Sequence, residues 1–157
     1  MEGINYKELN NVASSLFDGI NYEISLLSNA SALLNKYLKN VNWVGFYLVN
    51  EEKLILGPFQ GLVACIEIPF DKGVCGACAR TLKTVMVSDV HKFPGHIACD
   101  SKSNSEIVIP IIVENKLYGV LDIDSVKFDN FNDFDKDNLE EFVRILVKNL
   151  TKLNKEH

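Results

Sequence analysis

One stretch constrains this chain more than any other: Glu106-Ile-Val-Ile-Pro-Ile-Ile-Val-Glu-Asn-Lys-Leu-Tyr-Gly-Val-Leu-Asp-Ile-Asp124. It reads as two strands around a Glu114-Asn115-Lys116 turn, and its alternation leaves little choice of pairing. Ile107, Ile109 and Ile111 share one face of the first strand, and Gly119, Leu121 and Ile123 share one face of the second. Burying both sets together puts Ile107 opposite Ile123 and Ile109 opposite Leu121 across a three-residue loop. A slip of one residue would turn every apolar side chain to the other face. The same register predicts Glu106 across from Asp124, with Asp122 two residues along on that face. Like charges facing each other across a sheet repel. The cluster is therefore either the solvated face of a half-buried sheet or a place that holds a cation or shifts a proton.

The rest of the chain supplies partners for this hairpin. Further β-rich runs bounded by turn residues fall at roughly 42–49, 52–57, 63–69 and 84–87, which with roughly 106–113 and 117–125 predict a mostly antiparallel six-stranded sheet. Apolar residues recur at helical spacing over Tyr6 to Leu16 (Leu9, Val12, Leu16) and Ile20 to Leu38 (Ile24, Leu27, Leu33, Leu34, Leu38). They recur again over the C-terminal stretch, where Asn132 or Asp133 is the expected N-cap and Leu139, Phe142, Leu146, Leu150 and Leu153 form one stripe. A short helix is expected from Gly73 to Thr81, with Cys75 in its first turn. The class is α+β, with the terminal helices on one face of the sheet. At 157 residues the expectation is one domain over 1–157, with N-terminal helices over about 1–40, sheet and loops over 42–125 and a C-terminal helix over 132–154.

A net charge of −5 without basic clusters argues against nucleic acid and against anionic membranes. The N-terminus lacks a basic region followed by an apolar run, and no segment reaches transmembrane length, so the expected compartment is the cytoplasm. There, four cysteines start as reduced thiols.

Cys65, Cys75, Cys78 and Cys99 fall within one third of the chain, interleaved with His91 and His96. Zinc would use Cys75-x-x-Cys78 but lacks a second ligand pair. A thioredoxin-like dithiol at the same two cysteines would normally accompany a parallel βαβ pattern, which is absent. The third reading draws a nucleophile and a resolving thiol from separate loops, with Cys99 in the irregular stretch from His91 to Ser105. Either Cys65 or Cys75 could then resolve. Cys78, between Ala77 and Ala79, is read as a packed apolar residue, and the two histidines as loop residues. In Asn42-Trp43-Val-Gly-Phe-Tyr47, the two aromatics share a face with Gly45 between them. That is either a core aromatic pair or a gap able to receive a small amphipathic cation.

Taken together, Gly57-Pro-Phe-Gln-Gly61, Ala64-Cys65, Gly73-Val-Cys75-Gly76, Asp89-Val-His91, Phe93-Pro-Gly-His-Ile-Ala-Cys99-Asp100-Ser101, Ser105-Glu106 and Asp122-Ile-Asp124-Ser125 resemble the free methionine-(R)-sulfoxide reductase family. The likeness covers about Trp43 to Phe134. It implies a GAF fold and an oxidoreductase active on free L-methionine (R)-sulfoxide, with a role in oxidative stress. It implies that Cys99 is the nucleophile, Cys65 the principal resolving cysteine through a redox-active disulfide, and Cys75 a second thiol in exchange. Glu106, Asp122 and Asp124 correspond to the substrate-binding acids, with Asp124 or Glu106 assisting the departing oxygen. Trp43 and Tyr47 match the aromatic wall around the substrate methyl group. No metal and no cofactor is implied, thioredoxin is the implied reductant, and a homodimer through the terminal helices is left open. Cys78 stands where the family is expected to carry a small residue without a thiol. The alternative is a GAF small-ligand-binding or redox-sensing module without turnover.

Overall fold

The computed structural model describes residues 1–96 and 102–156. The predicted hairpin forms β5 (Ser105–Val113) and β6 (Lys116–Ser125). Ile107 lies opposite Ile123, Ile109 opposite Leu121 and Glu106 opposite Asp124, as the alternation requires. The loop differs. It has two residues, Glu114 and Asn115, both at positive φ (51° and 66°), the backbone that matches the twist of a tight hairpin. The residue missing from the loop reappears as an irregularity in β6, where Tyr118 has no partner between the pairs Ile111–Gly119 and Ile112–Leu117. Below that point the pairing recovers the register that the apolar faces demand.

Around the hairpin run α1 (Tyr6–Phe17), α2 (Glu23–Tyr37), β1 (Val41–Asn50), β2 (Lys53–Gly61), β3 (Glu67–Pro69), α3 (Gly73–Thr81), β4 (Val85–Val87) and α4 (Asp133–Glu156). The strands form a six-stranded sheet among the described residues, in the order β3-β2-β1-β6-β5-β4, and every pairing is antiparallel. α1, α2 and α4 cover one face. There Val44, Phe46, Ile107, Ile109, Leu121 and Ile123 pack against Leu9, Phe17, Leu26, Leu34, Leu139 and Phe142. α4 shows the predicted stripe in full, with Leu139, Phe142, Leu146, Leu150 and Leu153 all buried. Its N-cap is Asn132: the Asn132 side chain accepts from the Asp135 N–H, and the Asp135 carboxylate accepts from the Asn132 N–H, a reciprocal cap.

Two helical stripes and two strands differ from expectation. α1 buries Tyr6, Leu9, Ala13 and Phe17 and leaves Val12 and Leu16 exposed, a rotation that lets Phe17 meet Phe142 edge to face. The chain is extended at Asp18 and α2 starts at Glu23, not Ile20, so Ile24 points to solvent. β2 continues past Gly57-Pro58, because those two residues oppose the single residue Phe46 in a bulge, where a proline costs no ladder bond. The strand expected over 63–69 shrinks to Glu67–Pro69. α3 keeps its predicted bounds but lies on the second face of the sheet, against Trp43, Tyr47, Val108 and Val120. No helix among the described residues is long and apolar enough to cross a membrane.

Candidate active site

The covered second face is where the chemistry gathers. β1 sends Trp43 and Tyr47 to it, β5 sends Glu106, and β6 sends Asp122 and Asp124, while α3 lowers Cys75 from above. Between them lies a cleft with about 550 Å³ of empty space, open solvent included. The predicted acids and aromatics all line it.

The space beside Gly45 is not the gap expected from the sequence. A Cβ on Gly45 would lie 2.3 Å from the Cβ of Phe59, so Phe59 on β2 already occupies that room. Gly45 permits this close approach of β2. The result is a row of three rings: Phe59 on Trp43 at 5.1 Å between centroids, and Trp43 on Tyr47 at 5.8 Å, both stacked. The row forms a wall, not a slot between two rings.

Nor is the carboxylate face wet. Glu106 is 6% exposed and Asp122 5%, because α3 covers them. Burial, followed by the neighbouring charges of Asp122 and Asp124, holds the Glu106 carboxyl well above its ordinary range. Burial also pushes Asp122 up, opposed by hydrogen bonding from Glu106 and Cys75. Asp122 Oδ1 has no hydrogen-bond partner among the described residues. No lysine or arginine among the described residues lines the cleft. Glu106 and Asp122 thus both sit above the ordinary carboxylate range in a cleft that no lysine or arginine among the described residues lines.

Of the four cysteines, Cys65 is engaged in a disulfide, on the segment between β2 and β3. Cys75 and Cys78 are free, buried thiols. Cys75 is raised well above the usual thiol value by burial and then by Asp122, Glu106 and Asp124; burial lifts Cys78 to about 12. Cys78 packs in the core beneath α3. Cys99 lies outside the described residues. One sulfur from Cys75 and one oxygen each from Glu106 and Asp122 lie within 4.8 Å of one another, so these three could hold a borderline-soft divalent ion. The same crowd suits an ammonium group.

His96 and Ser103 also line the cleft, and the residue pattern pointed to neither. Burial, then the charge of His91, lowers His96. Ser103 is fixed by the Asn42 side-chain amide, which donates to its hydroxyl at 3.0 Å. His96, read from the sequence as a loop residue, stands within the motif Phe93-Pro-Gly-His that carries the resemblance, and that membership was the signal that could have singled it out.

Residues 25–150 match the family model of the GAF domain. The chain is 47% identical over 143 residues to free methionine-R-sulfoxide reductase of Escherichia coli K12, covering 91% of this chain and 87% of that one. It is similar to the solved structure of fRMsr of Staphylococcus aureus in complex with substrate, at 51% identity and a TM-score of 0.91, over 96% of this chain and 98% of that one. It is similar too to free methionine-R-sulfoxide reductase from Neisseria meningitidis in complex with its substrate, at 38% identity and a TM-score of 0.93, over 97% and 92% of the two chains.

Proposed function

The chain belongs to the free methionine-R-sulfoxide reductases, within the GAF-domain family, and from that premise we propose that it reduces free L-methionine (R)-sulfoxide with its own cysteines. The observation that carries the reading is a cleft of two buried acids and a third at its edge, walled by stacked rings, with no lysine or arginine lining it among the described residues. A free amino acid brings the missing cation. Its ammonium compensates Glu106, Asp122 and Asp124 in a place shielded from water, where an ion pair is strong, and its methyl group rests on Trp43 and Tyr47.

With the substrate so oriented, the Cys99 thiolate attacks the sulfoxide sulfur. The protonated oxygen then passes to the Cys99 sulfur: a Cys99 S–O bond forms as the substrate sulfur–oxygen bond and the transient bond between the two sulfurs break, so methionine leaves reduced by two electrons and Cys99 is left oxidised to a sulfenic acid. Glu106, which keeps its proton, is the better placed donor to the departing oxygen, with Asp124 the second candidate. The Cys65 thiol then condenses with the sulfenic acid, forming a disulfide and releasing water. Cys65's engagement in a disulfide supports its part as the resolving thiol. A thioredoxin-type dithiol restores both cysteines by exchange, in a reducing cytoplasm. Cys75 serves as the second exchange partner, which it becomes on losing its proton. The chemistry needs no metal or organic cofactor.

The test couples the enzyme to thioredoxin, its reductase and NADPH, with each pure epimer of free methionine sulfoxide. Sustained NADPH consumption is expected with the R epimer and not with the S epimer. A binding or redox-sensing module would sustain none with either, and that result would overturn the proposal.

A further inference from the structure

In residues 62–66, which carry Cys65 from β2 to β3, Ala64 and Cys65 pack against the core of the second face, while Leu62, Val63 and Ile66 are 58%, 88% and 70% exposed. The segment is also held by its carbonyl groups. The Trp43 indole N–H donates to the carbonyl of Leu62 at 3.1 Å. The Tyr47 hydroxyl donates to the carbonyl of Cys65 at 2.9 Å. The backbone N–H of Leu56 donates to the carbonyl of Ile66 at 2.9 Å. Two of these three ties come from side chains buried in β1, and one of them reaches the cysteine itself.

We infer that Tyr47, through its hydroxyl, is a positioning residue for Cys65, holding the main chain of the resolving cysteine where its sulfur meets the oxidised nucleophile. The inference rests on the reductase reading above. In the step concerned, the sulfur of Cys65 bonds to the sulfenic sulfur of Cys99 and the S–O bond breaks. The oxygen leaves as water, carrying its own proton and that of the thiol. Such a condensation depends on how closely the two sulfurs are placed, and a displacement of an ångström slows reactions of this kind markedly. Burial and the nearby acids keep the phenol of Tyr47 protonated, so it donates throughout the working pH range. One buried pair thereby serves two ends of the reaction: its faces wall the cleft, and its polar edges fix the second sulfur. The arrangement also explains why the strand expected over 63–69 starts only at Glu67: side chains have taken two carbonyls that a neighbouring strand would otherwise use.

Tyr47→Phe separates these duties, since the ring and its stacking on Trp43 are kept and only the donor is lost. Reduced enzyme is mixed with one equivalent of free methionine (R)-sulfoxide in the presence of dimedone, which traps sulfenic acid, and without any reductant. For each methionine released, the fraction of Cys99 carrying the adduct is expected to rise on the order of tenfold in Tyr47→Phe, with a matching fall in disulfide. Tyr47→Leu, which also removes the ring, is expected to raise the KM for sulfoxide as well. An adduct-to-disulfide ratio in Tyr47→Phe equal to that of the wild type overturns the inference and leaves the reductase reading standing. Absence of methionine from the wild type overturns both.

Discussion

Glu106 sits where two opposing demands meet. Its carboxyl is raised well above the ordinary 4.5 by burial and then by Asp122 and Asp124, so the folded chain holds a proton there that the unfolded chain gives up. A group raised in this way contributes stability that is complete below its unfolded pKa and is lost as the pH climbs toward the folded value. The substrate-free, reduced protein should therefore lose stability as the pH rises from about 5 through neutrality. Glu106→Gln, which keeps a neutral group of the same shape, should flatten that profile and exceed the wild type on its alkaline side. Denaturant unfolding at several pH values reads this directly, and parallel profiles for the two proteins would contradict it. The pairing of Glu106 with Asp124 was legible because strict alternation on two adjacent strands admits one register. The filling of the space at Gly45 by Phe59 was not, because it depends on a bulge that shifts a neighbouring strand, and no local pattern records which residue a bulge brings alongside.

Among elements, the site depends on β1 and β2 approaching closely at that bulge. Gly45→Ala would set a Cβ 2.3 Å from that of Phe59. It should destabilise the fold by about 1–3 kcal/mol and raise the KM for sulfoxide as Phe59 and Trp43 shift, read by unfolding and steady-state kinetics. A comparison variant lies on the far side of the sheet. The Tyr6 hydroxyl donates to Asp135 at 2.6 Å, joining α1 to α4. Tyr6→Phe should cost about 1–3 kcal/mol and leave the KM unchanged; a raised KM would mean that the helical layer also shapes the cleft. α3 was legible from its flanking turn and small residues, and α4 from an unbroken apolar stripe. β2 and the Cys65 segment were not. A Gly-Pro pair ordinarily ends a strand, yet here the bulge absorbs it, and the side-chain ties that hold residues 62–66 are long-range contacts without a periodic signature.

Across the whole molecule, the sheet separates scaffold from chemistry. One face is an apolar core under α1, α2 and α4. The other carries the acids and rings beneath α3. That division was anticipated in part: the terminal helices were expected on one face, but for the acids on the opposite face a solvated surface and a cation-holding or proton-shifting site both stood open, because a nine-residue helix of small residues gave little sign that it would cover charged side chains. Since the covered acids call for an ammonium, N-acetylmethionine (R)-sulfoxide, which lacks one, should be a poorer substrate by about 10³-fold or more in kcat/KM. Comparable turnover of the two would mean that the carboxylates do not bind the amino group. The most direct measurement is a single turnover without reductant: reduced enzyme is mixed with excess free L-methionine (R)-sulfoxide, and methionine and thiols are counted. We predict one methionine released and two thiols lost per wild-type chain, with neither from Cys99→Ser. No methionine from the wild type, or an undiminished yield from Cys99→Ser, would contradict a cysteine-based reductase centred on this cleft.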